Sequence, residues 1–565
     1  MRGAKFLNAT GAGAEGSPDG GVGLFHEIDY FYETVQGFLY PDLMGKDPVL
    51  HWYTRGARAP KEIRARLWDG LDERCLWSRY RVDRFALGLM DVGVAVVAME
   101  LTHLGVVEDR NGAPDDNAPV PLTLALAQDA LDQLRRTHAP FWINGVAPGR
   151  SPSAVQVLYD GDEGWTTHSP GPAGLQASAQ AHLLDHGAPA KFGWWTELLK
   201  PLELGKRKAK SPLSFRQIVD ERAFQVATIS LGGGPTEVLE QVSDGDWHRI
   251  GAADVAGRDP WPYNKDFLDR TEPVLFYDRF APHPEAERGG ASRITICSYQ
   301  LAAVGCGWFF ENHVVHHVRR HYTQMVLLAY LEQAALLAFS ARLTDLARKH
   351  AADLRNPKCD RGEARHDLRQ DLAAIADDFV EFSHVHRFTG VSNQVQAREL
   401  NDMLRGAIGL DALFEEVSAE LDRAMAHAAA LESERAANSA ERLTEIATIA
   451  AVIGLGFTLA PVLGDLPVAG AVFGKAWAQT GAGCTLSALF AFLAVALGPV
   501  LRGRRGTPVF RRGLRGILWA ICVVCAVAAV LISSVHGGEG AAERGAAEAP
   551  APSDSSAGLS QAHDS

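Results

Sequence analysis

Residues 441–467 read ERLTEIATIAAVIGLGFTLAPVLGDLP, a charged helical pattern that turns into an apolar run without a break. After Glu445 no ionisable side chain appears until Asp465. A helix needs roughly 20 uncharged residues to cross about 30 Å of hydrocarbon, so Ile446 to Gly464 is predicted to span a bilayer. Upstream, Phe414, Val417, Leu421, Ala424, Ala428 and Leu431 alternate steps of three and four, the seam of a helix packed on other helices. The same register then meets Arg435, Asn438 and Arg442, so the seam turns polar before the membrane. The two patterns join into one predicted stalk helix over 411–463. A stiff helix transmits a movement of the body to the bilayer, which a flexible tether does not.

Working outward, two further runs are apolar enough to span: Ala476 to Leu501, whose usable part starts near Cys484, and Gly516 to Val535. Between them Arg502, Arg504, Arg505, Arg511, Arg512 and Arg515 sit in a loop with no acidic residue. The positive-inside rule places that loop in the cytoplasm. The expected organisation is a multi-pass protein of the inner (plasma) membrane with its N-terminal body cytoplasmic. The spans are 444–464, 484–501 and 516–535, the basic loop is 502–515, and 536–565 is an external tail. That tail is small, polar and Pro-containing and is expected to be disordered, as is the Gly/Ala-rich start, 1–22.

The formal net charge of −13 disfavours nucleic acid as a partner, because phosphate recognition needs a basic surface. Seven cysteines are scattered, and reduced thiols are expected in the cytoplasm. Cys522 and Cys525 form a CxxC inside the third predicted span, where a thiol behaves as a small apolar side chain.

Residues 23–303 read as an α/β (α+β) body. RFALGLMDVGVAVVAMEL, residues 84–101, predicts two strands joined at Asp91 to Gly93. LTLALAQDALDQLRRTH predicts a helix ended by Pro140, and the Gly/Ser/Pro/Asp-rich stretch 145–190 predicts long loops. KRKAK, 206–210, reads as a solvated loop. Strands are predicted over 223–231, 273–278 and 292–300. From 304 to 443 the pattern is helical, with Leu327, Leu331, Leu337 and Phe339 supplying apolar surface, a break at NPKCDRGE, a second helix over 364–381 and a third beginning near Asn393 or Asp411.

Three constellations carry candidate chemistry. Thr444, Thr448, Ala451, Leu455, Thr458, Val462 and Asp465 share one helix face. Hydroxyls with a terminal carboxylate suit a hydrated cation path, with Thr444, Thr448, Leu455, Thr458 and Asp465 lining it. The competing reading is that the threonine hydroxyls bond back to their own helix and Asp465 marks the interface. His313, His317 and His321 form an i, i+4, i+8 ladder, with Cys306 before it; this spacing suits a metal site, although the stretch reads ENHVVHH and contains no HExxH. Asp377, Asp378 and Glu381, with Glu415, Glu416 and Glu420, form a third candidate, able to hold a hard divalent ion if two helices bring them together. A packed histidine face and a solvated charge run are the plainer readings of these two. No P-loop, GxSxG or dinucleotide fingerprint is present, so no enzyme is expected.

The order of an α+β body, long helices and a stalk running into C-terminal transmembrane helices resembles the CorA-like divalent cation transporter superfamily. The resemblance is carried by HYTQMVLLAYLEQAALLAFSARL, RFTGVSNQVQARELNDMLRGAIGLDALFEEVSAEL and ERLTEIATIAAVIGLGFTLAPVLG, and covers roughly residues 300–500. It implies a homo-oligomer, commonly a pentamer, whose first spans surround a pore in the lipid bilayer, with a divalent cation such as magnesium as cargo. The family's Gly-Met-Asn signature is absent; PVLGDLP puts Gly464 and Asp465 in its place. Two readings from other classes stand beside this one. The first is a membrane-anchored signalling or defence-type protein whose spans serve as anchor and oligomerisation surface. The second is a membrane-tethered enzyme using the histidine ladder.

Overall fold

The computed structural model describes residues 2–3, 28–56, 58–137, 151–168, 191–204, 214–219, 222–232, 237–281, 292–356 and 361–464, with side chains of the last segment described over 364–451. The chain divides into two compact units, 1–428 and 429–565.

Beside a short helix α1 (Glu33–Leu39), the first unit builds an eight-stranded antiparallel sheet. Its strands are β1 (Arg2–Gly3), β2 (Leu50–Thr54), β3 (Pro60–Asp69), β4 (Arg74–Met90), β5 (Val94–Arg110), β6 (Ala113–Val120), β7 (Ala154–Tyr159) and β8 (Thr166–His168). The predicted hairpin is the tip of a longer one: β4 and β5 are each 17 residues, and Gly93 holds the turn at φ 84°. That φ is left-handed, which a glycine adopts without a Cβ clash. Because β4 outruns its other partners, its first half pairs with β3 and its last five residues with β2. Register shifts at Arg79/Tyr80 and Val82/Arg84 leave one extra residue on β5, Leu104, and one on β4, Asp83. Such bulges bend a strand and increase its twist, and the sheet curls into a half-barrel.

Alternation with period two puts Ile63, Ala65 and Leu67 of β3 and Val155, Val157 and Tyr159 of β7 on a buried face. Helix α2 (Leu124–Leu134) covers one part of it, with Leu126 and Ala130 against Leu76 and Leu67. Trp194, Trp195 and Leu198 of α3 (Gly193–Leu199) cover the other. Thr123 caps α2 by accepting from Leu126 N–H at 3.2 Å. Gln133 pins the helix to β3, accepting from Trp68 N–H at 3.0 Å and donating to Trp68 C=O at 2.8 Å. The stretch 145–190 was expected to be loops; its described residues include β7 and β8. VQVLY is a short alternating run, and the surrounding Gly, Ser and Pro hid it.

The two-residue strands β9 (Glu203–Leu204) and β10 (Ser214–Phe215) pair in parallel. A second sheet runs in the order β11 (Gln225–Ser230), β14 (Gln300–Gly305), β13 (Ser292–Cys297) and β12 (Phe276–Tyr277). The predicted strand over 292–300 is β13 plus the turn that starts β14. The strand predicted over 273–278 shrinks to Phe276–Tyr277, because Pro273 to Leu275 finish helix α5 (Lys265–Leu275), which follows α4 (Asp244–Ala252). The sheet is buried on both faces. Ala302 and Val304 meet Trp247 and Ile250 of α4, while Leu301 and Ala303 face the helical core.

A helical run over Gly307–Arg355 leads into α6 (Thr323–Arg355), followed by α7 (Arg361–Glu381), α8 (Val395–Ile408) and α9 (Leu410–Gly464). Both predicted starts of the third helix are real. Gly409, at φ 74°, ends α8 in a left-handed cap, and α9 starts at the next residue. Among the described side chains, the run Gly307–Arg355 is long and apolar enough to cross a membrane by composition. Its Met325, Leu328, Leu331, Ala335, Leu336 and Phe339 are buried in the core of the first unit. The expected seam of α9 is buried at Val417, Leu421 and Ala428 and ends there: Arg435, Asn438 and Arg442 are exposed.

Candidate functional site

The helical run that follows β14 opens with a sharp turn, Gly307 at φ 80°, and two exposed aromatics, Trp308 (70% exposed) and Phe309 (60%). Two five-residue π segments follow, Phe310–Val314 and Val318–Tyr322, on either side of one α turn. Segments of π-helix inside α-helices occur frequently at functional sites. Positions i, i+3, i+4, i+7 and i+8 of a helix share a face, so His313, His316, His317, Arg320 and His321 converge. With Asn312 they line a cavity of about 320 Å³.

His321 sits deepest. Tyr30, brought in from near the start of the chain, stacks on it with ring centroids 4.1 Å apart, and the His317 ring lies 4.9 Å away. Among the described residues neither ring nitrogen of His321 has a hydrogen-bond partner. Burial, then the neighbouring His317 and Arg320, pushes its pKa down to about 3. Burial also lowers His317 and His316, with the positive neighbours adding to it, so these imidazoles are neutral near pH 7. Asn312 donates to Trp308 C=O at 2.8 Å, and His313 lies 5.0 Å from both the Trp308 and the Phe309 ring. Of the nearby acids, Glu311 accepts from Ser230 Oγ at 2.7 Å, and Glu100 and Asp83 pair with Arg319.

The sign of the linkage follows from this burial. A histidine whose folded pKa is depressed binds its proton only on unfolding, so stability falls as pH drops below the unfolded value of about 6.5 and keeps falling toward 3. For His321 the expected loss between pH 6.5 and 5 is about 2 kcal/mol, at about 1.4 kcal/mol per pH unit. Urea unfolding of the wild type and of His321→Phe at both pH values measures it. Parallel pH dependences for the two proteins would refute the assignment.

The structure brings His313 and His317 onto one cavity wall, but among the described residues no group of three His, Cys, Asp or Glu could hold a metal ion. Cys306 is buried in the sheet cluster with Ala302, Val304 and Trp247. The carboxylates are not gathered either. Asp377 and Glu381 are exposed, Asp378 pairs with Arg342 at 2.6 Å, and Glu420 accepts from Ser340 Oγ at 3.0 Å. On α9 the Thr444 hydroxyl donates to Ala440 C=O at 2.8 Å and that of Thr448 to Thr444 C=O at 2.6 Å. Leu455 and Thr458 belong to the helix, where only the backbone is described, and Asp465 lies outside the described residues, as do KRKAK and the second and third predicted spans. Reasoning from the ladder alone missed His316, Arg320 and Asn312. The signal was available in NHVVHHVRRH, since the i+3 and i+7 companions of His313 share its face.

Comparison of the chain with protein-family models, with curated proteins and with solved structures finds no match.

Proposed function

We propose that the chain is a membrane-anchored binding protein. Its α+β body recognises a ligand, and the apolar C-terminal segments serve as anchor and oligomerisation surface. The observation that carries this reading is α9. It runs from Leu410 to Gly464 as one helix, has its root in the body core, and has no glycine or proline between Gly409 and Gly454, so the body's own helix becomes the apolar segment. The two threonine hydroxyls that donate to helix carbonyls need no further partner in a bilayer, which supports an anchor over a lined path.

A CorA-like cation conduit is the second reading. It is supported by the same order of body, long helices and continuous helix, and it needs the unsigned segment around Asp465 to do the selecting. Full-length protein in membranes and in proteoliposomes separates the two. Retention after an alkaline carbonate wash, with no Mg2+ or Co2+ flux across either polarity of potential, is the expected result. Release by the wash would remove the anchor. Flux that disappears in Asp465→Ala while assembly is retained would establish the conduit.

A further inference from the structure

We propose that the lobe formed by α4, α5 and the loop between them is a docking surface for a basic segment of a partner protein, whose Arg or Lys side chains pack on Trp261 and Tyr263 and pair with Asp244 and Asp269. This rests on the reading that the body is the recognition part of the chain, and it names the chemistry of the partner.

Three observations converge on it. The first is apolar surface left in water: Trp261, Tyr263, Phe267 and Val274 are 40%, 41%, 46% and 55% exposed. Tyr263 and Phe267 meet edge-on at 6.0 Å. The loop that presents them is already fixed. Arg249 donates to Asp259 C=O, the Tyr263 hydroxyl donates to Asp254 at 2.6 Å, Asn264 caps α5, and Pro260 and Pro262 flank Trp261. Aromatics held in place before binding cost little to order, and such side chains are enriched at interfaces. The second is charge. Between Glu237 and Asp278 stand ten acidic residues against four basic ones. Those four cations are committed within the body: Arg249 to Asp246 and Asp259 C=O, Arg258 to Leu71 C=O, Arg270 to Asp266 C=O, and Lys265 to the Trp261 ring, 5.1 Å away. Arg293 of β13 pairs with Glu272 and Asp278. Asp244, Asp259 and Asp269 are exposed, and their carboxylates have no ion-pair partner among the described residues. A positive segment is therefore drawn to this face, and a guanidinium or ammonium gains a second contact from the aromatic rings, as Lys265 over Trp261 illustrates. The third is His248 of α4, 5% exposed, whose ring lies 6.3 Å from Trp261. Burial lowers its pKa, against the pull of the Glu272, Asp244 and Asp269 carboxylates, so these acids and Trp261 share one locality. Among the described residues its Nδ1 has no hydrogen-bond partner, although buried polar atoms are almost always paired. A neutral imidazole nitrogen beside an exposed aromatic suits an incoming N–H donor.

The alternatives fit less well. Anionic lipid headgroups would meet the same carboxylates and be repelled. A second copy docked face to face through this lobe would set acid against acid, because a two-fold contact brings the same patch to both sides.

The test is selection of a phage-displayed library of random peptides on the detergent-solubilised full chain, followed by fluorescence anisotropy of the enriched peptides made synthetically. Arg- and Lys-containing peptides are expected to be enriched, with affinity that falls as salt is raised. Trp261→Ala should weaken the best of them about tenfold, the loss expected of an aromatic anchor. Asp269→Asn keeps the shape of an exposed side chain and removes only its charge; it should weaken binding several-fold and flatten the salt dependence, with the melting temperature unchanged. No enriched peptide, enriched peptides without basic residues, or equal binding by wild type and both variants would each overturn the proposal. So would self-association, or co-flotation with phosphatidylcholine vesicles carrying phosphatidic acid, that disappears in Trp261→Ala, since the lobe would then serve a second copy or a lipid surface. None of these outcomes bears on the carbonate wash, so this assignment and the anchor reading fail separately.

Discussion

Arg405→Ala is expected to cost about 3–5 kcal/mol, the range for breaking a buried ion pair by removing one partner. Glu332 and Arg405 are almost sealed from water, their side chains 2% and 5% exposed. Arg405 donates to both Glu332 oxygens, at 2.6 and 3.0 Å, to Asp411 at 2.6 Å and to Phe388 C=O at 3.2 Å. Arg387 braces the same two acids, at 3.1 and 2.7 Å, and lays its guanidinium 3.9 Å over the Phe414 ring. One network therefore ties α6, the segment before α8, α8 and the first turn of α9. Removing Arg405 leaves the buried Glu332 carboxylate with Arg387 in place of two guanidinium partners, and that under-compensated charge dominates the loss. A double replacement, Glu332→Leu with Arg405→Met, should cost much less, because no charge is stranded. Urea midpoints at unchanged slope measure both. An Arg405→Ala protein within about 1 kcal/mol of wild type would show that the pair is solvated and the network ornamental.

Phe339→Ala is expected to be comparably severe, about 3–5 kcal/mol. Phe339 is 2% exposed on α6, with Phe379 edge-on at 5.3 Å and Phe382 at 5.6 Å, and Phe379 in turn stacks on Phe414 of α9 at 5.5 Å. Truncation deletes a ring from the middle of this chain of rings, and the cavity left behind cannot collapse while three helices hold its walls. Phe339→Leu should lose clearly less. Equal losses for the two variants would mean that the ring contacts, rather than the buried bulk, carry the stability, which would refute the cavity argument. In both predictions the root of α9 is what loosens.

Parts of this fold were legible because they obey a local period. The Asp91–Gly93 turn between apolar strands, the seam from Phe414 to Ala428 and the end of that seam before Arg435 follow from spacing and turn chemistry alone. The helix pattern after Trp308 was equally plain, and so was the histidine ladder. Other parts were not. Pro273 suggested a strand start, yet it lies inside α5, which ends two residues later at Leu275. β7 is six residues in a stretch whose composition argues for loop, and it is a strand because β3 offers a ladder edge on that side.

The candidate site divides in the same way. A helical period brings His313, His316, His317, Arg320 and His321 to one face, and that needs only the sequence. The depth of His321 comes from Tyr30, which no local pattern connects to it. Likewise Glu332 and Arg405 are 73 residues apart and read, one at a time, as ordinary charged helix positions. The amino-acid order by itself determined the α+β class, the helical second half and the apolar character of the C-terminal end, because propensity, periodicity and hydropathy act over a few turns of chain. Only the tertiary structure decided which charges are buried, how the long hairpin curls and where a cavity opens. Those depend on which surfaces lose water together, and desolvation is a property of the packed body rather than of any segment in it.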